Sequence, residues 1–346
     1  MKTLWYRFIK FYIKVGLFFY TKKIVCVGKE NIPKKGAVLL VVNHPNGLLD
    51  PLMVTTNVSR DTHYLVRAAA FKNLIANTLL RSLNLMPIYR IRDGRNEISK
   101  NESVFNDCFK ILKNKKILMI FPEGSHDQRR TVRTISKGFT RIVFGALEKH
   151  PNIKLSIIPV GLSYQNIGKY PSKVAVHYGT PIDAKSHFNP LDLTTSVNTL
   201  KEEVSNQLKT LSVHIPDDEN YKIILKKLHE NNTDFTDVHN TNQAIIDNKF
   251  TMRKKAVNYI KPMYYLFLIN SLIPWLIWKK IAVKIDEREF IDTFRVVVGI
   301  ILFPIFYIIQ SMLLVYFYST NFALFYLGFT ILTTLVFVKL STTPTE

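Results

Sequence analysis

Apolar and polar residues alternate in short blocks through the middle of the chain, over about residues 36–180. Runs rich in Val, Ile and Leu are separated by stretches with helical spacing, and helices are predicted at 97–114 and 138–149. The runs at 38–42 and 117–121 contain no polar residue, which is typical of strands buried on both faces of a sheet. Strands separated by helices predict an α/β fold with a central sheet flanked by helices.

The first 25 residues are predicted to form an amphipathic helix at a membrane interface. Arg7, Lys10 and Lys14 fall in one narrow strip of such a helix, facing head groups, and apolar and aromatic residues cover the rest of its surface. These charges interrupt the apolar run, so a signal peptide is not predicted. The alternative is that residues 1–25 form a helix packed against the protein's own core.

Three apolar stretches near the C-terminus predict a membrane region over residues 261–346. The stretch at 296–318 is long enough to span a bilayer, and the stretch at 322–338 is slightly short. The stretch at 263–278 is shorter still and contains Pro274. The predicted arrangement is a hairpin of two spanning helices, preceded by one shorter interfacial or re-entrant element.

The chain carries a formal net charge of +21, from 47 Lys and Arg residues against 26 Asp and Glu residues. This excess favours anionic partners, and the apolar ends of the chain make membrane lipids the leading partner. No nucleic-acid-binding motif accompanies the charge, so no nucleic-acid partner is expected. The two cysteines form no CxxC motif and the nine histidines are scattered, so neither a disulfide framework nor a metal site is predicted.

The segment Asn43–Pro51, NHPNGLLDP, places a histidine and an aspartate in one predicted loop after a strand. A carboxylate bonded to a histidine fixes the tautomer of the ring and stabilises the imidazolium. His44 and Asp50 could therefore form a dyad that takes a proton from a hydroxyl group. The alternative is that Asp50 caps a helix in which Pro51 is the first residue.

A second loop, FPEGSHDQRRTVRTISKG, follows the buried run at 117–121 and is predicted to stay extended until about Lys137, because it contains several β-branched residues. Cations concentrate in this loop and near another strand end: Arg129, Arg130, Arg133, Lys137, Arg90 and Arg92. Arginine binds phosphate oxygens in a bidentate manner, so a phosphate pocket is a natural use of this cluster. The alternative is a solvated basic face or a contact with lipid head groups.

Four blocks of the sequence resemble, in order, those of the glycerol-phosphate acyltransferases of phospholipid synthesis. The blocks are NHPNGLLDP, MPIYR, FPEGSHD and IIPVGLSY, and the resemblance covers roughly residues 30–185. The commonest family pattern has four residues between the histidine and the aspartate, whereas this chain has five. The wider spacing resembles a branch that includes fungal glycerol-3-phosphate and dihydroxyacetone-phosphate acyltransferases. This likeness weakens a default assignment to the second acylation step.

The resemblance implies a role for each candidate residue. His44 would act as the general base and Asp50 as its orienting partner. Arg90, in the block MPIYR, would bind the acceptor phosphate. Gly124, or backbone N–H groups near it, could stabilise the oxyanion. The expected substrate-binding residues are Arg90, Glu123, Gly124 and Lys137.

The implied function is membrane-bound O-acyl transfer in phosphatidic acid synthesis, from an acyl thioester to glycerol 3-phosphate or its 1-acyl derivative. The donor, acyl-CoA or acyl carrier protein, is a substrate, and no cofactor is expected. The alternatives are another lipid acceptor, such as an aminolipid precursor, and a non-catalytic lipid-binding protein on the same fold. The catalytic domain is expected over residues 26–215 on the cytoplasmic side, joined to the membrane region by a polar helical linker at 216–260.

Overall fold

A mixed β-sheet forms the centre of the molecule, in a computed structural model that describes residues 2–89, 99–254 and 257–343. Its strands are β1 (Lys23–Val27), β2 (Ala37–Val42), β3 (Thr62–Arg67), β4 (Leu85–Ile88), β5 (Ile117–Ile120), β6 (Leu155–Tyr164), β7 (Lys173–Tyr178) and β8 (Ile182–Asp183). They lie in the order β1-β7-β6-β2-β5-β3-β4, with β8 paired to β6. Strands β2 to β6 are parallel, and β7 is antiparallel to β6.

Helices join and cover these strands, which confirms the expected α/β class, and further helices follow the sheet towards the C-terminus. They are α1 (Lys2–Tyr20), α2 (Leu49–Asn57), α3 (Leu74–Ser82), α4 (Asn101–Lys113), α5 (Gly138–Lys149), α6 (Leu193–Leu211), α7 (Tyr221–Glu230), α8 (Val238–Ile246), α9 (Lys261–Asn270), α10 (Leu272–Ala282), α11 (Ile291–Phe317) and α12 (Thr320–Leu340). Helix α5 coincides with the helix predicted at 138–149. Helix α4 begins four residues after the predicted start at residue 97, which lies outside the described residues.

The central strand β2 is buried on both faces, as its unbroken apolar sequence predicts. Ala37, Leu39 and Val41 pack in a cluster with α4, α5 and α6. Val38, Leu40 and Val42 point the other way and pack with α2, α1 and α11. All six residues are at most 1% exposed. Because side chains alternate along a strand, these two layers fix the register of β2 and the place where its carboxyl end emerges.

Helix α1 ends at Tyr20 and not at residue 25, because β1 begins at Lys23 and pairs with β7, and the helix combines features of both interpretations of the N-terminal segment. Leu17 is fully buried in the core beneath the sheet, whereas Leu4 and Phe11 are strongly exposed. The cationic strip lies partly against the domain, because Lys10 donates to the carbonyl of Val58 at 2.6 Å and Arg7 pairs with Asp61. The exposed apolar face is therefore the part of α1 that is available to a membrane interface, and the strip does not simply face head groups.

The polar segment expected to be a linker at 216–260 packs against the sheet. Its helices α7 and α8 contribute Leu228 and Val238 to a small core, in which they meet Ala175 of β7. Phe235, between the two helices, is 1% exposed and belongs to the same core. This segment is thus a folded part of the domain, because a few well-spaced apolar residues are enough to dock it.

The C-terminal region contains the two helices among the described residues that are long and apolar enough to cross a membrane, Arg288–Phe317 and Thr320–Leu340. In the most apolar window of the first, only 6% of the residues are buried, so this helix does not have the environment of a core helix. The earlier stretch at 263–278 divides into α9 and α10, which meet at Ser271. Neither of these short helices approaches the length of a bilayer span.

Candidate active site

Two loops meet at the carboxyl ends of the neighbouring parallel strands β2 and β5. His44 follows β2, and its ring stacks on Phe121, which follows β5, with the ring centroids 4.2 Å apart. The backbone N–H of Asp127 in the second loop donates to the carbonyl of His44 at 3.1 Å. The edge formed by the carboxyl ends of parallel strands is where α/β folds commonly place ligand sites.

His44 and Asp50 form the pair that the sequence suggests. The Nδ1 atom of His44 lies 2.8 Å from the Oδ2 atom of Asp50. The Asp50 side chain is fully buried, and that of His44 is 17% exposed. An ionised Asp50 favours the tautomer with the proton on Nδ1, which leaves Nε2 of His44 as the proton acceptor.

Two further donors hold the Asp50 carboxylate. The backbone N–H of Asn46 donates to Oδ2 at 2.7 Å, and the hydroxyl of Tyr164 donates to Oδ1 at 2.8 Å. Burial, together with the nearby charge of Asp50, raises the pKa of Tyr164 well above its ordinary value. Tyr164 therefore stays protonated and remains a donor at neutral pH.

Asp50 does not act as the helix cap that the alternative interpretation proposed. Helix α2 begins at Leu49, and the capping position is Leu48, which makes no side-chain capping bond. Asp50 lies within the first turn, and its carboxylate faces back to the loop residues His44 and Asn46. The spacing of five residues thus turns the loop far enough to bring the acid onto the ring.

Glu123 is bound by an arginine of its own loop. Its side chain is 3% exposed, and Oε2 accepts from the guanidinium of Arg133 at 2.7 and 3.1 Å. Oε1 accepts from the backbone N–H of Arg133 at 3.2 Å. Arg133 also donates to the Ser125 hydroxyl at 2.8 Å. These bonds shape the loop, so the acid expected among the substrate-binding residues is engaged within the protein.

Neighbouring arginines are also paired internally. Arg129 bridges Asp127 and Asp217. Arg130 donates to the carbonyls of Tyr164 and Gln165, both at 2.8 Å. The extended course of the loop explains this, because helical spacing would have placed the cations on one face. These two arginines therefore hold the loop against the domain, and Arg133 bonds within the loop itself.

The remaining predicted residues occupy different positions. Gly124 has a positive φ of 75°, the left-handed region that favours glycine, and its N–H donates to the Phe121 carbonyl at 3.2 Å. Lys137 is exposed and directly precedes α5. Arg90 and Arg92 lie outside the described residues, so their predicted contact with an acceptor phosphate stays a prediction.

Tyr164 is a site residue that the sequence interpretation missed, although it ends the block IIPVGLSY. Its position could have been inferred from the pairing of β6 with β2, which brings the carboxyl ends of both strands to the same edge. The bond from Tyr164 to Asp50 could not have been inferred from the sequence, because the two residues lie 114 positions apart.

Among the described residues, one group has the side chains and spacing to hold a metal ion. It consists of His126, Glu287 and Glu289, with ligand atoms within 4.8 Å of one another. His126 Nε2 lies 3.2 Å from an oxygen of Glu287, whose side chain is 64% exposed. A hydrogen bond accounts for this contact, and we assign no metal to the group.

Comparisons with known proteins identify relatives of one region of this chain. Residues 23–163 match the family model of the acyltransferase domain. Glycerol-3-phosphate O-acyltransferase 1 of Saccharomyces cerevisiae is 28% identical over 127 residues, which are 35% of this chain and 17% of that protein. A probable 1-acyl-sn-glycerol-3-phosphate acyltransferase of Mycoplasma pneumoniae is 27% identical over 215 residues, 58% of this chain and 77% of the relative.

A solved structure, the 1-acyl-sn-glycerophosphate acyltransferase of Thermotoga maritima, aligns with a TM-score of 0.43 and 20% identity, covering 60% of this chain and 81% of that one. This chain spans less than a fifth of the length of the yeast relative. The matched region includes both loops, with the His44–Asp50 pair and the Glu123 turn. The family match and the relatives from yeast and Mycoplasma therefore confirm the resemblance to glycerol-phosphate acyltransferases, and the matched segment is residues 23–163.

Proposed function

We propose that this protein is a membrane-associated O-acyltransferase that transfers a fatty acyl group from an acyl thioester to glycerol 3-phosphate or 1-acylglycerol 3-phosphate. The observation that carries the proposal is the 2.8 Å contact between His44 and a fully buried Asp50 at the carboxyl edge of the sheet. The names of the yeast and Mycoplasma relatives support a phosphorylated glycerol acceptor.

The geometry supports direct transfer to the acceptor. Nε2 of His44 takes the proton of the acceptor hydroxyl as its oxygen attacks the thioester carbonyl. The tetrahedral intermediate then collapses, the C–S bond breaks, and the imidazolium returns the proton to the leaving thiolate. An ester and a thiol result. Asp50 holds the ring and stabilises the imidazolium, and this sequence of steps requires no cofactor.

Product identification tests the proposal. Purified full-length protein in lipid nanodiscs would receive labelled acyl-CoA or acyl carrier protein and a panel of acceptors. The panel contains glycerol 3-phosphate, its 1-acyl derivative, dihydroxyacetone phosphate and an aminolipid precursor. We expect an acylated glycerol phosphate, identified by mass spectrometry. A folded protein that binds lipid but forms no acyl product with any pair would support the non-catalytic alternative.

We further propose that the catalytic domain faces the cytoplasm. The ends of the hairpin support this orientation, because α11 begins against the domain and Lys339 near the end of α12 donates to the carbonyl of Thr21 at 2.7 Å. Basic residues on both sides of 263–278 favour the same side of the membrane for both flanks. The connection at 319–321 would then lie on the opposite side.

Cysteine labelling in intact cells tests this orientation. Ile285→Cys and Thr320→Cys would be introduced singly into a chain lacking both native cysteines and exposed to an impermeant thiol reagent. Labelling at 320 alone supports the proposed orientation in the cell membrane. Labelling at 285 but not at 320 contradicts it. For an internal membrane, sealed vesicles of known orientation replace the cells.

A further inference from the structure

A buried carboxylate marks the start of α11, the first candidate membrane helix. The Asp292 side chain is 3% exposed. It accepts four hydrogen bonds, from Tyr20 Oη at 2.7 Å, Gly168 N at 2.8 Å, Asn46 Nδ2 at 3.0 Å and Arg295 Nη1 at 3.0 Å. These donors come from the end of α1, the connection between β6 and β7, the His44 loop and α11. One carboxylate thus joins four separate parts of the chain.

Asn46 connects this carboxylate to the proposed dyad. It is fully buried, its side-chain amide donates to Asp292, and its backbone N–H donates to Asp50 at 2.7 Å. Asp50 in turn bonds to His44. A single residue therefore stands between Asp292 and the carboxylate that orients the histidine.

The next residue of α11 makes a second contact with the same loop. The hydroxyl oxygen of Thr293 accepts from the backbone N–H of Leu48 at 3.1 Å. The two contacts flank Gly47, where a Cβ atom would lie 2.9 Å from the Glu289 carbonyl and 3.0 Å from the Thr293 hydroxyl. The segment at 289–293 thus lies directly against the loop, and the glycine is needed for this close approach as well as for its positive φ.

Apolar packing does not require a charged side chain at this position. An ionisable group beside an apolar helix is costly unless it is paired and hydrogen-bonded, so its presence usually marks a specific role. All four bonds of Asp292 are made within the protein, which fixes the first turn of α11 relative to the loop. Since the carboxylate lies in that first turn, the helix dipole also favours its charge.

We infer that Asp292 and Thr293 are positioning residues, which hold the His44 loop in its reactive geometry from the first turn of the membrane helix. The inference rests on the proposed acyl transfer for its kinetic consequence. It assigns to the C-terminal region a part in completing the site, in addition to membrane attachment. The acceptor and donor touch neither residue in this assignment, so the effect should fall on kcat and not on either KM.

Four variants of the full chain in lipid nanodiscs test the inference. Asp292→Asn replaces the carboxylate that accepts the four hydrogen bonds with an amide. Thr293→Val keeps the shape and removes the acceptor, whereas Thr293→Ser keeps the hydroxyl. Asp286→Asn is the matched control, because Asp286 is an exposed acid in the connection between α10 and α11. We expect kcat to fall about 10–100-fold in Asp292→Asn and by less in Thr293→Val. Thr293→Ser and the control should stay near wild type.

A second measurement does not depend on turnover. The ring nitrogens of His44, assigned by their loss in His44→Ala, report the tautomer and the bond to Asp50 in ¹⁵N NMR spectra. We expect these signals to change in Asp292→Asn and Thr293→Val and to persist in Thr293→Ser and the control. If Asp292→Asn fails to fold, the two Thr293 variants decide the question.

The outcomes separate this inference from the proposed function. A lower melting temperature with wild-type kcat and ring signals would make both residues stabilising only and overturn the inference, while acyl transfer by the wild type would still support the function. Changed ring signals in a protein that transfers no acyl group would refute the proposed function. They would still support the inference that Asp292 and Thr293 position the His44 loop.

Discussion

The two loops at the carboxyl edge of the sheet use a buried carboxylate in different ways. Asp50, after β2, meets a histidine and two neutral donors. Glu123, after β5, meets a guanidinium that donates from two of its nitrogens. A histidine can exchange a proton near neutral pH, whereas an arginine cannot. The partner of each acid therefore determines its use. Asp50 can support proton transfer by a histidine, whereas Glu123 fixes the shape of its loop.

Among the variants in the two loops, His44→Ala should cause the largest loss of acyl-transfer rate. Loss of a general base typically costs ~10²–10⁴-fold in rate, and the folded protein should still bind lipid. Initial rates with the best donor and acceptor pair measure the effect. Activity within a few-fold of wild type would contradict the dyad.

Asp50→Asn should give the next largest loss of kcat, smaller than that of His44→Ala. An amide can donate to Nδ1 and so favours the wrong tautomer of His44, and it no longer stabilises the imidazolium. Asn also caps helices about as well as Asp, so a mere capping role would leave the rate unchanged. The comparison is made at equal folded fraction, as judged by circular dichroism.

Tyr164→Phe should lower kcat by less and destabilise the fold by about 1–3 kcal/mol, because a buried oxygen of Asp50 loses its donor. The raised pKa of Tyr164 means that its stabilising bond is fully present below the ordinary tyrosine pKa and is lost only as the pH rises through the raised value. Denaturation of both proteins at pH 6 and pH 9 should therefore show the same difference. A difference that disappears by pH 9 would contradict this assignment.

Glu123→Gln should affect stability more than chemistry. The charge-assisted bonds to Arg133 are worth about 1.5–3 kcal/mol, and an amide keeps only part of them. We expect a lower unfolding midpoint and a loss of kcat smaller than that of Asp50→Asn. A kcat loss equal to that of His44→Ala in a stable protein would place Glu123 in the chemistry and remove the contrast between the loops.

Lys137→Ala should have the smallest effect. The side chain is exposed, so its removal should leave stability unchanged and raise the acceptor KM only modestly if it attracts the phosphate. Raising the ionic strength should reduce that difference through screening. An unchanged KM at low salt would assign Lys137 to the solvated basic face.

The sequence predicts the parts of the fold that depend on local pattern. The apolar run 38–42 identifies a strand buried on both faces, and the β-branched residues before Lys137 place the start of α5 correctly. The docking of the segment at 216–260 was missed, because its few apolar residues, such as Phe235, become informative only when a surface is known to receive them.

The candidate site likewise contains features that the local sequence predicts and features that it does not. The pairing of His44 with Asp50 is local and follows from the loop and the family resemblance. The roles of Tyr164 and Asp292 depend on contacts across 114 and 246 positions, which no local pattern encodes. The bonds of Arg133 depend on the path of the loop, which separates it from the cation cluster that its spacing suggests.

The close approach at Gly47 can form only late in synthesis of the chain. Asn46 leaves the ribosome 246 residues before Asp292, roughly 10–50 s earlier at ordinary rates of synthesis. During that interval the sheet can fold, but the loop faces solvent where residues 289–293 will later lie. A truncated, more soluble version that stops before residue 288 would preserve this early state permanently. Removal of the C-terminal helices to ease purification would thus also remove the contacts that residues 289–293 make with the His44 loop.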